Sequence, residues 1–418
     1  MKGILSVLLV LYAGIAWGQA DERIYEEVEF RFVTPGARAV GMGKAFVGLA
    51  DDATAAYSNP AGLSNLLRQE FSLAVTSNDI NHHRFVPSDT AETQVFGETV
   101  YSPSFISYVV PHKNFTFSLF RNVLQDYEEN FQFAGRFIPS IGVTEGPTLG
   151  EMSLNAENYG AGVSYLLHSA VSIGGSFVIA HSDVNAKFMT GPADNPARQS
   201  VTNDSGSAAG VILGILTRPI PELSLGAVYH SGFQFELDTD LHGRFIARRG
   251  KLIDLTGTTR QIDYVIPGHF SLGTAYRWND HLTTSLDLSR IFYSQQVTNK
   301  FLILTFFELL SHQNFFIDDV WEFHAGAEYR FHAAGSTIGL RAGLFTDPAH
   351  PLRFRAFPDT DPFVASIQAF RFNSLRPKTD VGITAGAGFV LANRVQLDAA
   401  VSFSRDSDEI VISWVVKL

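Results

Sequence analysis

Gly41-Met42-Gly43-Lys44 is the first run whose residue types could do chemistry, as a glycine-rich loop cradling a phosphate. Its neighbours exclude that role. Arg38 stands where the upstream Gly is required, Ala45 follows the Lys, and no strand precedes the run. His82-His83 with Asp79 could touch a metal, but adjacent His residues in a surface loop are ordinarily solvated, so no metal site is expected. Asp238, Asp240 and Asp263 flank a loop and read as solvation or divalent-ion contact. No Gly-x-Ser-x-Gly context supplies a nucleophile, and the absence of Cys removes thiol, disulfide and lipoprotein chemistry. Neither an enzyme nor a cofactor is expected. A net charge of −11 speaks against a nucleic-acid partner.

The remaining charges obey a pattern. Arg277, Asp287, Glu322, His324, Glu328, Arg330, Arg341, Arg394 and Asp398 fall on the polar members of two-residue alternations. Val395, Leu397, Ala399, Val401 and Phe403 alternate with Arg394, Gln396, Asp398, Ala400 and Ser402. Phe323, Ala325, Ala327, Tyr329 and Phe331 alternate with Glu322, His324, Glu328 and Arg330. Period two over eight to ten residues, aromatic near the ends, marks a strand with one apolar and one polar face. The charges then face a lumen. They either brace it as ion pairs or line a path for a polar solute or carboxylate head group, and spacing alone leaves both open.

Fourteen such strands are predicted, near 70–77, 103–110, 115–133, 151–167, 170–189, 206–217, 222–240, 266–278, 281–296, 320–331, 336–346, 379–391, 394–405 and 408–417. Short links such as His168-Ser169 and Ala392-Asn393 alternate with long ones such as 78–102, 241–265 and 347–378. Asp406-Ser407 is short where a long loop is due. No later segment is long and uncharged enough for a membrane helix, although Phe alone numbers 35. The fold class is therefore all-β, a transmembrane antiparallel β-barrel of about 14 strands, with every edge paired as a lipid setting demands. Apolar faces meet outer-membrane lipid, and both termini are periplasmic.

Residues 1–20 read as a signal peptide, with Lys2, an apolar run from Ile4 to Trp17 and small residues at Gly18-Gln19-Ala20. Residues 21–69 are an extension and hatch, and 70–418 the barrel. Pro35–Leu67 is rich in Gly and Ala and lacks alternation, which suits packing in a narrow lumen. Asp51-Asp52 is expected to open a short helix through Ser58, and Asn59-Pro60 to cap and start a second.

FRFVTPGARAVGMGKAFVGLADDATAAYSNPAGL resembles the N-terminal hatch of the outer-membrane long-chain fatty acid transporter (FadL/TodX) family, including its Asn59-Pro60-Ala61 step. IPGHFSLGTAYRWNDHLTTSLDLSR, WEFHAGAEYRF, LRAGLFTDP and TAGAGFVLANRVQLDAA are similar to that family's barrel hairpins. The resemblance covers nearly the whole mature chain. It implies passive uptake of hydrophobic molecules such as fatty acids or aromatic hydrocarbons. The gate would be the hatch, with Gly36, Arg38, Gly41, Gly43, Asn59, Pro60 and Ala61, and release would be sideways through the wall. Such a gap needs a kinked or bulged strand, for which Gly135 and Gly160 are candidates. Phe301–Leu310 (FLILTFFELL) is an apolar run in a long loop, where it should not face water. Phe301, Leu302, Phe306, Phe307 and Leu310 are candidates for hydrophobic capture, and Phe363–Phe372 is a weaker one. The alternative within the superfamily is a PorV-like scaffold that docks a protein partner.

Overall fold

The computed structural model describes residues 35–85, 93–133, 136–138, 143–145, 148–190, 198–246, 252–254, 256–300, 312–333, 335–358, 379–405 and 407–418. The signal-peptide segment, Gly135, Phe301–Leu310 and Phe363–Phe372 lie outside the described residues, as do the side chains of His82 and His83.

Fourteen strands form one closed antiparallel wall. They are β1 (Glu70–Phe85), β2 (Thr93–His112), β3 (Phe115–Phe133), β4 (Thr148–His168), β5 (Val171–Thr190) and β6 (Arg198–Ile220). β7 has two segments (Leu223–His230 and Phe233–Ile246), as does β8 (Thr258–Ile266 and His269–Arg277). The rest are β9 (Leu282–Ile291), β10 (Val320–Ala333), β11 (Ser336–Asp347), β12 (Asp380–Leu391), β13 (Val395–Phe403) and β14 (Ser407–Lys417). Closure is made by β1 on β14, from Glu70↔Lys417 to Ile80↔Ser407. It spares the edges the several kcal/mol that each unpaired backbone group costs in hydrocarbon. At the short-turn end, Ala392 and Asn393 take φ of 50° and 54°, the left-handed pair that a tight hairpin requires.

The alternation places Ile338, Leu340 and Leu344 on the outside and Arg341 inside. On β10 the outward apolar residues run from Trp321 to Phe331. That spans about 34 Å of strand, or roughly 25 Å along the normal for a tilt near 45°, which matches a bilayer core.

Beyond this belt, towards the long-loop end, the polarity reverses. β4 turns Glu151, Ser153 and Asn155 outward and buries Met152, Leu154 and Ala156. β7 does the same with Gln234, Glu236 and Asp238 against Phe233, Phe235 and Leu237. The expectation that apolar members face lipid throughout is corrected here: outside the bilayer the wall meets water, so its apolar side turns in. Links 78–102, 190–205 and 241–265, expected as loops, are in large part these strand extensions. Arg277 and Arg394 are exposed near the short turns and do not line the lumen; Arg277 Nη2 donates to the Pro221 carbonyl at 3.1 Å.

This reversal makes Leu340→Arg and Ser153→Arg unequal, although both positions point outward. The first should cost about 2–4 kcal/mol and the second under ~1 kcal/mol, read as unfolding midpoints in urea with heat-modifiable gel mobility reporting the folded barrel.

Candidate functional site

The lumen at the level of the belt is filled by residues 35–66, nearly all buried. Helix α1 (Ala37–Gly41) leads into tight turns, then α2 (Ala55–Ser58) and a 3-10 helix (Pro60–Asn65). Asn59 caps the last of these as its sequence predicts, its Oδ1 accepting from Ala61 N at 3.2 Å with Pro60 in the first position. α2 begins later than expected, because Asp51 and Asp52 have other work. Asp52 Oδ1 accepts from Thr54 N at 3.0 Å, and both carboxylates turn to Arg38.

Small residues let the hatch backbone lie directly on the wall. Gly43, at φ +64°, lies against Ala325 and Leu344, while a Cβ on Gly326, Gly343 or Gly273 would collide with the backbone of Met42, Gly43 or Gly48. On the opposite side, Gly174, Gly214 and Gly226 make the same room for Pro60-Ala61, Asn59 and Val47. Wall side chains then bond the hatch backbone. Asp287 Oδ2 accepts from Phe46 N (2.6 Å) and Val47 N (2.8 Å), Thr384 Oγ1 from Gly43 N (2.9 Å), and Ser413 Oγ from Ala37 N (3.1 Å). Ser172 Oγ donates to the Ala61 carbonyl at 2.9 Å, and Asn59 Nδ2 to the Val47 carbonyl at 3.0 Å.

One charged network crosses from hatch to wall. Arg38 meets Asp51 at 2.5 Å, Asp52 at 3.4 Å and both oxygens of Glu328 at 3.2 Å. Glu328 is also held by Arg330 and by Arg341 Nε (2.8 Å), and Arg341 Nη1 reaches Asp398 at 2.7 Å. Burial works against charge on Arg38, but Asp51, Glu328 and Asp52 hold its pKa well above the ordinary value. Burial also raises Asp51, and Arg38 more than offsets this, leaving its pKa below the usual range. Burial wins at Asp52, whose pKa is raised. The Asp51–Arg38 pair therefore stabilises docking fully above the ordinary carboxylate range and loses it as pH falls through the depressed value. Of the two readings of the charged lumen, bracing describes Glu328, Arg330, Arg341 and Asp398.

A small polar cleft remains between hatch and wall, lined by Lys44, His230, His269, Asp287, Glu322 and His324 among others. No group of residues able to hold a metal occurs among the described residues.

Above the hatch the barrel interior is a buried apolar cluster. Its floor includes Tyr57, edge-on to Phe120 at 6.1 Å, and its walls carry Phe105, Leu124, Tyr127, Leu154, Phe235 and Ile266. Phe235 stacks on Tyr264 at 6.0 Å, and Tyr264 OH donates to Gln125 Oε1 on the far wall. Beside this cluster the wall is incomplete. β2 and β3 pair from His112↔Phe115 only to Phe105↔Asn122; beyond that β2 stays with β1 and β3 with β4. Pro103, which has no N–H to offer, sits where the β1–β2 register shifts, and Leu124 is the extra residue in a β3 bulge. The kink thus falls at Pro103 and Leu124. Gly160, a candidate from sequence, lies instead under the Phe120 ring.

Residues 32–411 match the family model described as outer membrane protein transport protein (OMPP1/FadL/TodX). The chain belongs to this family. The barrel is accordingly an outer-membrane protein of a family of transporters for hydrophobic compounds, not an enzyme. Its fold is similar to that of a Pseudomonas aeruginosa FadL homologue (16% identity, 93% of this chain and 98% of that one, TM-score 0.66). It is also similar to the Ralstonia pickettii toluene transporter TbuX (16%, 93% and 99%, 0.60) and the P. putida toluene transporter TodX (14%, 92% and 98%, 0.59). No curated protein sequence matches the chain.

The structure brings Gly36, Arg38, Gly41, Gly43, Asn59, Pro60 and Ala61 together in the lumen plug. The wall partners Asp287, Thr384, Ser413 and the mid-strand glycines were missed as hatch contacts. The inward glycines of the FadL/TodX-like "LG.AYR" hairpins were the available signal. Arg38→Ala leaves buried Asp52 and half-buried Asp51 without their partner, a loss of about 3 kcal/mol from docking. The expected outcome is a folded barrel whose single-channel ion conductance in planar bilayers rises well above that of the unaltered protein, and Gly343→Val should do the same by steric displacement.

Proposed function

We propose that this FadL/TodX-family barrel takes up hydrophobic compounds, long-chain fatty acids or aromatic hydrocarbons, from outside the cell and releases them sideways into the outer membrane. The observation that carries this reading is the ladder gap between β2 and β3, which lies beside the apolar cluster directly above a hatch-filled polar lumen. A hydrophobic molecule gains by inserting among these apolar side chains, at about 25 cal/mol per Å² buried, and would lose that passing Arg341 and Asp398. Sideways release keeps it apolar throughout.

In this scheme the short-turn end and both termini are periplasmic, the long-loop end faces outward, and the hatch residues around Arg38 and Asn59-Pro60-Ala61 form the gate. Phe301–Leu310, with Phe301, Leu302, Phe306, Phe307 and Leu310, is the capture segment, supported by its apolar sequence in a long-loop link. The toluene transporters among the structural neighbours favour aromatic cargo as one class.

Deleting Leu124 together with Pro103→Thr makes both strands regular. Uptake of labelled toluene and oleate into liposomes should fall roughly tenfold while binding to the detergent-solubilised barrel persists. Deleting Phe301–Leu310 should instead remove saturable binding from a barrel that still folds. Absence of binding by the unaltered protein for both ligands would favour a scaffold with a protein partner.

A further inference from the structure

A second seam in the wall lies elsewhere, between β6 and β7. β6 is unbroken, yet it ladders to β7 only at its two ends: from Ile212↔His230 towards the short turn, and from Thr202↔Thr239 to Arg198↔Gly243 at the tip. Between these, residues 203–210 face 232–238 with no backbone pair. The ties there include Ser231 N to the Val211 carbonyl (3.0 Å), Val211 N to Ser231 Oγ (2.8 Å) and Asp238 N to Asp204 Oδ2 (2.8 Å). Rings fill the seam. Phe235 and Phe233 of β7 lie against Gly206 and Gly210 of β6, where no side chain competes for the space.

The upper β7–β8 hairpin that carries these rings is a ladder of its own. Its ladder runs from Phe233↔Ile266 to Leu241↔Thr258, and the lower ladder resumes at His269↔His230. Both strands break between them, at Ser231-Gly232 and at Pro267-Gly268. Gly232 and Gly268 touch backbone to backbone, leaving no room for a Cβ on either. β9 ends at Ile291, so among the described residues upper β8 has no ladder on its other side, and it meets the next segment through bonds such as Asp263 N to the Lys300 carbonyl at 3.1 Å.

We infer that the β6–β7 seam is an inlet, through which neutral hydrophobic molecules reach the apolar interior as the β7–β8 hairpin swings about Gly232 and Gly268. The inference rests on the proposed uptake function. The seam stands on the water side of the belt, since β6 turns Asn203, Ser205 and Ser207 outward opposite Gln234, Glu236 and Asp238. It is therefore a way in and complements the β2–β3 gap as the way out. Asp204, Glu236 and Asp238 at its rim repel carboxylates, so the molecules admitted are uncharged; Lys300 pairs with Glu236 at 2.8 Å.

The chain has no cysteine, so Ser207→Cys with Gln234→Cys gives a seam lock that can be closed by oxidation and reopened by reduction. Toluene uptake into liposomes should fall roughly fivefold on oxidation and recover on reduction, and Phe235→Ala should raise it above the unaltered rate. Oleate uptake should be unchanged by the lock. Unaltered toluene rates in both the oxidised pair and Phe235→Ala would overturn the inlet while leaving uptake intact. Equal slowing of oleate would overturn its selectivity for neutral molecules. An unaltered barrel no faster than empty liposomes would overturn the uptake reading and the inlet with it.

Discussion

Close backbone contact between the hatch and the wall is the constraint on which the rest depends. A barrel of this size encloses a polar lumen, and that lumen is closed here by a segment of small residues lying on strands that present glycine. No long side chain could bring Gly43 so near Gly343, or Val47 so near Gly226. Once the backbones are that close, Asp287, Thr384 and Ser413 can satisfy hatch N–H groups directly, and Arg38 can reach Glu328 across the lumen. The plug is thus bound by the wall's own chemistry.

That closure divides the interior by polarity. At belt level the alternation is apolar outward and polar inward, and the inner charges are paired. Towards the long loops it inverts, and the inner face becomes Phe, Tyr, Leu and Ile. In the proposed scheme a hydrophobic molecule has its favourable place above the plug, and its routes are those where the strand ladders fail. Pro103 and Leu124 interrupt one ladder at the belt's upper edge; the break at Ser231-Gly232 interrupts another in the water-facing extension.

Much of the barrel was legible because period-two alternation and the alternation of short and long links are local signals. All fourteen strands fall where those signals place them, and Asn59-Pro60 marked its helix start. The extensions were not legible in the same way. Residues 258–265 still alternate, but with polar residues outside, and reading every apolar face as lipid-facing left them in the link 241–265. Gly326 and Gly343 read as hairpin style, because their partners, Met42 and Gly43, lie hundreds of residues earlier. Gly160 looked like a kink and is a seat for Phe120. The kink itself comes from a proline and an inserted leucine, whose effect depends on which neighbouring strand each follows.

The most direct test of the division by polarity is to locate a cargo. A brominated aromatic or bromo-fatty acid soaked into crystals of the barrel can be placed by the anomalous signal of bromine. The account predicts bromine above the hatch, among Tyr57, Phe235 and Tyr264 or in the gap beside Leu124. Bromine below the hatch, on the barrel axis beside Arg341 and Asp398, would contradict it.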